Sequence, residues 1–449
     1  MPKKCTSAAG GRSSSLNKQL IIRSTLWTFT GFGVGQALRL VSNLILTRLL
    51  VPEAFGLMAL VVIFMTGLAL FTDLGIGASV VQNRRGDQQD FLNTAWTIKV
   101  VRGIVIAVCA CLLAGPLAWF YGEPQLLQIL PVMALSSVFG GFASNAPDLA
   151  SRKLWAGRVT VMELVCRLAG LTVMVTWAWL SPTVWAIVAG NLCSALLRAA
   201  MSHLIFPHWH VRFRWNRELA REIIHFGKWI FLTSALTFVA GQIDRLTLAK
   251  LVPLHLVGIY SIGFMWATLP LQLLQAWTGR VLFPFASETL RDPQGDRLRL
   301  RRYRRRVVWL SAVGIGGFGG IATPAMHLLY TPTYWPAADF LSLILIGTAA
   351  KMLDDLYRPL NLALGQPKYT SAGSAAALLL FVAAVYPLYG LYGAHGVAIA
   401  FSISQIGTLA ASAYGARRAG LADLRSDMAA VLGGVAVWAA LYFATRSLL

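Results

Sequence analysis

The sequence predicts an all-α polytopic membrane protein. Hydrophobic residues make up 57% of its 449 residues and charged residues only 13%, which is too apolar for a soluble protein of this length. A helix needs about 20 apolar residues to cross roughly 30 Å of hydrocarbon, and roughly thirteen stretches of the chain approach that length. We place them at 24–47, 56–81, 92–120, 126–147, 159–180, 184–205, 227–249, 256–279, 307–329, 335–352, 371–390, 394–414 and 428–446.

The basic residues predict how these spans are oriented. The N-terminal tail and every second connection hold most of the 39 lysines and arginines, whereas the intervening connections hold only Arg48, Lys250 and Arg446. Cytoplasmic loops of membrane proteins carry such an excess of positive charge. We therefore expect a cytoplasmic N-terminus, and an odd number of spans places the C-terminus outside. The net charge of +21 lies on one side of the membrane, which favours anionic lipid headgroups over nucleic acid as its partner.

The connection at 206–226 divides the spans into six before it and seven after it. Its residues 216–226 alternate between apolar and charged side chains at the spacing of an amphipathic helix on a membrane surface. We predict an N-terminal transmembrane bundle at 1–205, a cytoplasmic amphipathic linker at 206–226, a C-terminal bundle at 227–414 and an additional C-terminal helix at 415–449.

A short internal repeat supports this division. The segment TRLLVPEAFGLMALVVIFM begins at Thr47, and AKLVPLHLVGIYSIGFMWA begins at Ala249. The same offset of 202 residues aligns Gly56 with Gly258, each just after a proline-containing turn. The six spans between the copies give both the same orientation, and parallel repeats are typical of transporters whose substrate binds between two halves.

The chain carries no motif for nucleotide hydrolysis, metal binding or catalysis. It lacks a P-loop. Gly314, Gly316 and Gly319 match G-x-G-x-x-G, but they lie inside a span without the strand that a dinucleotide site requires. Gly316 instead suits close helix packing. The five cysteines are scattered without ligand spacing, so we expect a protein that is not an enzyme and uses no metal or cofactor.

Polar residues inside the spans are the candidates for a transport path, because such groups are costly unless they face protein or water. Gln36, Arg39 and Asn43 fall at i, i+3 and i+7 on the first span. We interpret this stripe as the lining of an aqueous cavity, with a structural polar contact as the alternative. Lys99 and Arg102 on the third span are candidates for contact with a negatively charged headgroup, although Lys99 could instead snorkel to the inner face.

The seventh span adds Asp244 and Arg245 at the end of a polar stripe that includes Thr237. The repeat offset aligns Arg245 with Asn43, so we assign Arg245 to the path. An intramembrane carboxylate can alternate between protonated and charged forms, which makes Asp244 and Asp73 the candidates for ion coupling. An interfacial ion pair is the alternative for Asp244. With Glu163, these are the acidic residues that we single out inside spans.

Two blocks of sequence resemble the polysaccharide transporter family, the Wzx-C-like oligosaccharide flippases of the multidrug/oligosaccharidyl-lipid/polysaccharide superfamily. They are LTRLLVPEAFGLMALVVIFMTGLALFTDLGIGASVVQ and DRLTLAKLVPLHLVGIYSIGFMWATLP, within Leu46–Gln82 and Asp244–Leu282. The resemblance covers most of the chain. It implies two six-helix bundles in a pseudo-twofold V-shaped arrangement, one or two further C-terminal helices, alternating access and no ATPase.

The resemblance also implies the substrate, an undecaprenyl-diphosphate-linked oligosaccharide repeat unit. It would cross the bacterial inner membrane for lipopolysaccharide or exopolysaccharide synthesis, with its diphosphate near Arg39 and Arg102 and its polyprenyl tail in the bilayer. A glycan polymerase and export machinery would be the protein partners, and nucleic acid would not be one. Two alternatives remain. A cation-coupled multidrug antiporter of the same superfamily would carry more buried carboxylates, and a membrane glycan-modifying enzyme would carry a large outer loop.

Overall fold

The computed structural model describes residues 9–72, 76–82, 85–152, 155–204, 212–291 and 296–446. This part of the chain contains sixteen α-helices and no β-strand. In chain order they are α1 (Ala9–Leu49), α2 (Pro52–Phe71), α3 (Ile76–Gln82), α4 (Gln89–Tyr121), α5 (Leu126–Phe142), α6 (Ala146–Arg152), α7 (Ala156–Leu180), α8 (Trp185–Leu204), α9 (Arg217–Leu251), α10 (Leu254–Trp277), α11 (Phe283–Arg291), α12 (Arg297–Leu329), α13 (Ala337–Ala363), α14 (Lys368–Tyr392), α15 (Ala394–Arg418) and α16 (Leu424–Arg446). A π-helix at Thr278–Leu282 joins α10 to α11, and a 3-10 turn at Pro332–Tyr334 precedes α13.

Ten helices in the described residues are long and apolar enough to cross a membrane. They are α2, α4, α7, α8, α12, α13, α14, α15, α16 and the continuous segment Leu254–Arg291, which contains α10 and α11 and counts as one. The other three predicted spans coincide with α1, α5 and α9, and α5 is apolar but only 17 residues long. The prediction of an all-α multi-pass membrane protein is confirmed.

Several boundaries differ from those predicted, among them the following three. The span placed at 56–81 contains the end of α2 at Phe71 and a separate α3. The amphipathic segment predicted at 216–226 is helical, but it continues directly into the next span as the start of α9. The span placed at 335–352 is too short, because α13 continues to Ala363. Its last turns carry paired charges, which lower the apolar signal without ending the helix.

The helices form two compact units. One lies within Met1–Leu50 and Phe64–Leu232, and the other within Val51–Ile63 and Thr233–Leu449. In the first unit, α4 and α5 cross where a Cβ added to Gly103 would lie 2.5 Å from the carbonyl oxygen of Ser137. Small residues at such a crossing let two backbones approach closely.

The second unit contains a glycine-to-glycine contact between the two copies of the repeat. A Cβ on Gly56 would collide with the carbonyl oxygen of Leu254, and a Cβ on Gly258 would collide with that of Pro52. The starts of α2 and α10 therefore pack backbone to backbone at the two positions that the repeat aligns. Only glycine allows an approach this close.

The crossing of α12 and α16 makes a testable contrast between two glycines of one helix. A Cβ on Gly316 would collide with the carbonyl oxygen of Gly434, whereas a Cβ on Gly314 would meet nothing within 4 Å. We expect Gly316→Ala to destabilise the protein by about 1–3 kcal/mol, because two backbones must separate. Gly314→Ala should be neutral or stabilising by up to about 1 kcal/mol. Melting of the detergent-purified variants checks this, and equal melting temperatures would contradict it.

Candidate functional site

The predicted stripe on α1 lies in the first unit, where α1 packs on α7. A Cβ on Gly35 would lie 2.6 Å from Nη1 of Arg167, so the two helices meet closely there. Gln36 and Asn43 are half-buried and Arg39 is exposed, and each of the three residues interacts with another group of the protein. Arg39 is thus an exposed cation on a long helix, close to a packed helix crossing.

Lys99 and Arg102 hold structural contacts in the first unit. The Lys99 ammonium group donates to the carbonyl oxygen of Ala143 at 3.1 Å, just past the end of α5. The Arg102 guanidinium donates from Nη2 to the carbonyl oxygen of Ala69 at 2.6 Å and from Nε to Thr72 Oγ1 at 3.2 Å. A cation on the last carbonyls of a helix is favourable, so Arg102 stabilises the end of α2.

Asp244 is fully buried in the second unit. It accepts a hydrogen bond of 2.6 Å from the hydroxyl of Tyr260 through Oδ2, and its Oδ1 has no hydrogen-bond partner among the described residues. Arg245 donates to Gln242 at 3.1 Å, and its guanidinium lies 3.8 Å above the ring centroid of Phe264. Asp244 and Arg245 form no ion pair in the part of the chain that is described. Asp73 lies outside the described residues.

A cavity of about 370 Å³ lies inside the second unit between α9, α10, α13, α14 and α15. Phe264 and Phe401 form part of its wall, with ring centroids 5.3 Å apart. Thr237 of the predicted stripe also lines it, whereas Asp244 does not. The polar lining residues are Thr237, Thr268, Gln272, Gln275, Thr348, Lys351, Asp354, Arg358, Thr370, Ser374, Gln405 and Thr408.

A charge cluster on α13 forms the ionic part of this lining. Arg358 Nη2 lies 2.7 Å from Asp354 Oδ2 and 2.9 Å from Asp355 Oδ1. Lys351 Nζ lies 2.7 Å from Asp354 Oδ2. Gln275 of α10 donates to Asp355 Oδ2 at 2.8 Å. Two cations and two carboxylates balance, but Arg358 Nε is buried without a hydrogen-bond partner among the described residues.

This cluster was not predicted, because the paired charges lie at the end of α13, mostly beyond the predicted span 335–352. Asp73, Glu163 and Asp244 are therefore an incomplete set of acids within spans, since Asp354 and Asp355 lie inside the apolar helical segment Pro332–Ala363. Their spacing from the basic residues was a usable signal, because residues three and four apart on a helix are neighbours.

This arrangement can bind a polar solute with both hydroxyl and anionic groups. Threonine and serine hydroxyls and glutamine amides donate and accept hydrogen bonds, as sugar hydroxyls do. The two phenylalanine rings offer apolar faces, and the guanidinium of Arg358 has a planar set of donors that suits phosphate oxygens. No residue pattern here resembles the nucleophile and base of a hydrolytic site.

Comparisons with known proteins identify relatives over most of the chain. A family model described as "Polysaccharide biosynthesis protein" matches residues 45–339. The succinoglycan biosynthesis transport protein ExoT of Rhizobium meliloti (strain 1021) is 22% identical over 332 residues, which are 73% of this chain and 67% of ExoT. The lipopolysaccharide biosynthesis protein WzxC of Escherichia coli (strain K12) is 23% identical over 312 residues, which are 67% of this chain but only 60% of WzxC.

Two solved structures share the fold. The lipid II flippase MurJ in its inward closed conformation superposes with a TM-score of 0.72 and 12% identity, covering 94% of this chain and 93% of that one. A point mutant of the Vibrio cholerae MATE transporter VcmN superposes with a TM-score of 0.63 and 17% identity, covering 90% of this chain and 97% of that one. At these identities the likeness shows the fold alone.

Proposed function

Because the chain belongs to the family of polysaccharide biosynthesis proteins, we propose that it is a flippase for undecaprenyl-diphosphate-linked oligosaccharide repeat units. It would move them across the bacterial inner membrane for lipopolysaccharide or exopolysaccharide synthesis. The names of the succinoglycan and lipopolysaccharide relatives support this substrate class. The observation that carries the proposal is the polar cavity with its charge cluster inside an apolar helical unit, since polar groups at membrane depth mark substrate paths.

The cavity in the second unit would bind part of the oligosaccharide headgroup. Its volume of about 370 Å³ lies within the range of small-molecule sites, about 300–1,000 Å³. Hydroxyl and amide side chains would replace the water around the sugar, while Lys351 and Arg358 would attract the diphosphate. Arg245, stacked on Phe264, would supply a further cation next to this wall.

Arg39, Gln36 and Asn43 would form the polar path in the first unit. An exposed arginine on a membrane helix is favourable only where it faces water or protein, which supports the cavity interpretation of this stripe. Lys99 and Arg102 would have to release Ala143 and the end of α2 before they could meet a headgroup. Of the predicted cations in this unit, Arg39 is therefore our first choice for contact with the diphosphate.

Transport without a nucleotide-binding motif would be driven by an ion gradient or by the gradient of the substrate itself. Asp244 is the preferred carboxylate for ion coupling, because one of its oxygens has no hydrogen-bond partner among the described residues. Asp73 remains the second candidate. Coupling requires that two conformations bind the ion with different affinities.

The proposed setting is the inner membrane with a cytoplasmic N-terminus, beside a glycan polymerase and export machinery. A cation-coupled antiporter is the second candidate function. Asp354 and Asp355 favour it, because they are two buried carboxylates in addition to those predicted within spans. The two functions differ in the transported substrate, so a single proteoliposome assay that offers both substrates can distinguish them.

The test measures flipping of a fluorescent undecaprenyl-diphosphate oligosaccharide in proteoliposomes. We expect Arg39→Ala to slow flipping at least about tenfold, the factor that corresponds to about 1.4 kcal/mol. Arg39→Lys should keep part of the activity, because charge remains without the bidentate guanidinium. Arg48→Ala is the matched control, an exposed arginine in the last turn of the same helix, and should flip normally.

Three outcomes would count against these assignments. Wild-type vesicles that expel a cationic dye but do not flip the lipid would establish the antiporter instead. Normal flipping by Arg39→Ala would remove Arg39 from the path. If flipping by Asp244→Asn responds to an imposed proton or sodium gradient as strongly as flipping by the wild type, Asp244 does not take part in ion coupling.

A further inference from the structure

A second cavity, of about 670 Å³, lies in the second unit where α12 begins beside α11. One wall consists of three arginines of α12, Arg299, Arg302 and Arg306. Tyr303 of the same helix and Phe285 of α11 form the apolar part of the lining. We call this cavity the arginine groove. It shares no lining residue with the polar cavity described above.

The groove has unbalanced positive charge. Its arginines fall at i, i+3 and i+7, which places them on one face of α12. None of their guanidinium groups forms an ion pair within the described part of the chain. Asp296 also lines the groove, but it caps α12 by accepting a hydrogen bond of 2.8 Å from the backbone N–H of Arg299. One carboxylate against three guanidinium groups leaves a net charge that a bound anion would offset.

The arginines at the start of α12 have two different structural roles. Arg304 in the same run is buried and bound to Asp427 of α16, so it serves the fold. The three arginines of the groove are exposed and carry no comparable partner among the described residues. A signal for membrane orientation alone would require only charge on this side of the membrane, without a shaped cavity around it.

An aromatic cluster forms the apolar part of the groove. The ring of Tyr303 lies 5.6 Å from that of Phe285 and 5.9 Å from that of Trp277, measured between centroids. Trp277 ends α10, and a π-helical turn follows it at Thr278–Leu282 before α11 begins. Such π-bulges are frequent at functional sites. The groove therefore combines cationic and aromatic lining residues, which suits an amphiphilic ligand.

We propose that the arginine groove binds the headgroup of an anionic phospholipid of the surrounding bilayer. The phosphate would contact the three arginines, and the glycerol and first acyl carbons would pack on Tyr303 and Phe285. The groove lies where two apolar segments, Leu254–Arg291 and Arg297–Leu329, reach their charged ends. That is the depth at which phospholipid headgroups lie, and basic pockets beside membrane helices recognise them. The proposal requires no transport activity.

The probe is dioleoyl-phosphatidylglycerol, added to the delipidated full-length protein in detergent and followed by native mass spectrometry. Dioleoyl-phosphatidylcholine has the same acyl chains without net charge and serves as the reference lipid. We expect one phosphatidylglycerol to remain bound at concentrations where phosphatidylcholine does not. Replacing the groove arginines together, as R299Q/R302Q/R306Q, should reduce its retention about 100-fold, since each arginine near an anionic headgroup contributes about 1 kcal/mol.

The matched control removes three exposed arginines from the other side of the same helical segment, R297Q/R301Q/R305Q. It changes the net charge of the protein by the same amount, so a general attraction between charges would weaken both variants equally. We expect this control to bind phosphatidylglycerol like the wild type. Tyr303→Ala should also weaken binding of the lipid without changing the charge of the groove.

Several results would overturn the proposal. Equal losses in the two triple variants, or wild-type binding by the groove variant, would show that the groove is not the binding site. Displacement of the lipid by inorganic phosphate at equal concentration would show an anion site without lipid selectivity. Displacement by undecaprenyl diphosphate at much lower concentration than by phosphatidylglycerol would assign the groove to the transport substrate instead.

Discussion

Replacing Asp427 with alanine is expected to destabilise the protein by about 3–5 kcal/mol, because it leaves a buried charge without its partner. Arg304 is 1% exposed and Asp427 is 0% exposed. Nη2 of Arg304 lies 2.9 Å from both carboxylate oxygens of Asp427, and the hydroxyl of Tyr357 donates to the same carboxylate. The Arg304 guanidinium also lies 4.4 Å above the ring centroid of Tyr357. These contacts join α12, α13 and α16.

The loss should be measured as the melting temperature of detergent-purified protein and as its abundance in the membrane. Asp423→Ala is the control, an exposed aspartate at the start of α16 whose side chain accepts a hydrogen bond from the backbone N–H of Ser426, so we expect a loss of about 1 kcal/mol. The double variant Arg304→Met/Asp427→Leu should regain most of the stability, since apolar replacement of a whole buried pair is often neutral. A double variant no more stable than Asp427→Ala would contradict this explanation.

The sequence predicted the fold class because its two strongest signals are sums over many residues. The length of the hydrophobic stretches and the excess of basic residues in every second connection do not depend on any single contact. The repeat was informative in a similar way, since it aligned Gly56 with Gly258. That these glycines touch each other could not be inferred from their spacing. It became visible only when the starts of α2 and α10 were found packed together.

Charged residues were harder to interpret, because a sequence shows a charge without its partner. Arg304 counted only as part of an orientation signal, whereas its carboxylate partner lies 123 residues later. The C-terminal end of α13 was predicted too early because its charged residues were likewise read without their partners. Each charge lowers the mean hydropathy of a segment, although the two cations Lys351 and Arg358 are neutralised by the two carboxylates of Asp354 and Asp355.

The predicted polar stripe on α9 shows the limit of helical spacing as a guide. Thr237 and Asp244 are seven apart and share a stripe on α9, yet Thr237 lines the cavity and Asp244 is hydrogen-bonded to Tyr260 instead. The packing of α10 against α9 decides which part of the stripe remains accessible. The roles of Arg39, Lys99 and Arg102 in transport, and the domain boundaries at 205 and 226, remain predictions.

Replacing Arg358 with glutamine is expected to slow flipping by about 10- to 100-fold, because a charge-assisted contact contributes about 1.5–3 kcal/mol. Arg358 lines the cavity, contacts both Asp354 and Asp355, and has a buried Nε without a hydrogen-bond partner among the described residues. Lys368→Gln is the control, since it removes an exposed charge from the start of α14. We expect it to flip the lipid at the wild-type rate.

A second substitution separates contact with the substrate from balance of charge within the fold. Arg358→Gln/Asp354→Asn restores neutrality, because Lys351 and Asp355 remain as one cation and one anion. If Arg358 only neutralises the carboxylates, this double variant should recover both its melting temperature and its flipping rate. If the guanidinium binds the diphosphate, stability should return while flipping remains slow. We expect the second result, and full recovery of flipping in the proteoliposome assay would remove Arg358 from the substrate path.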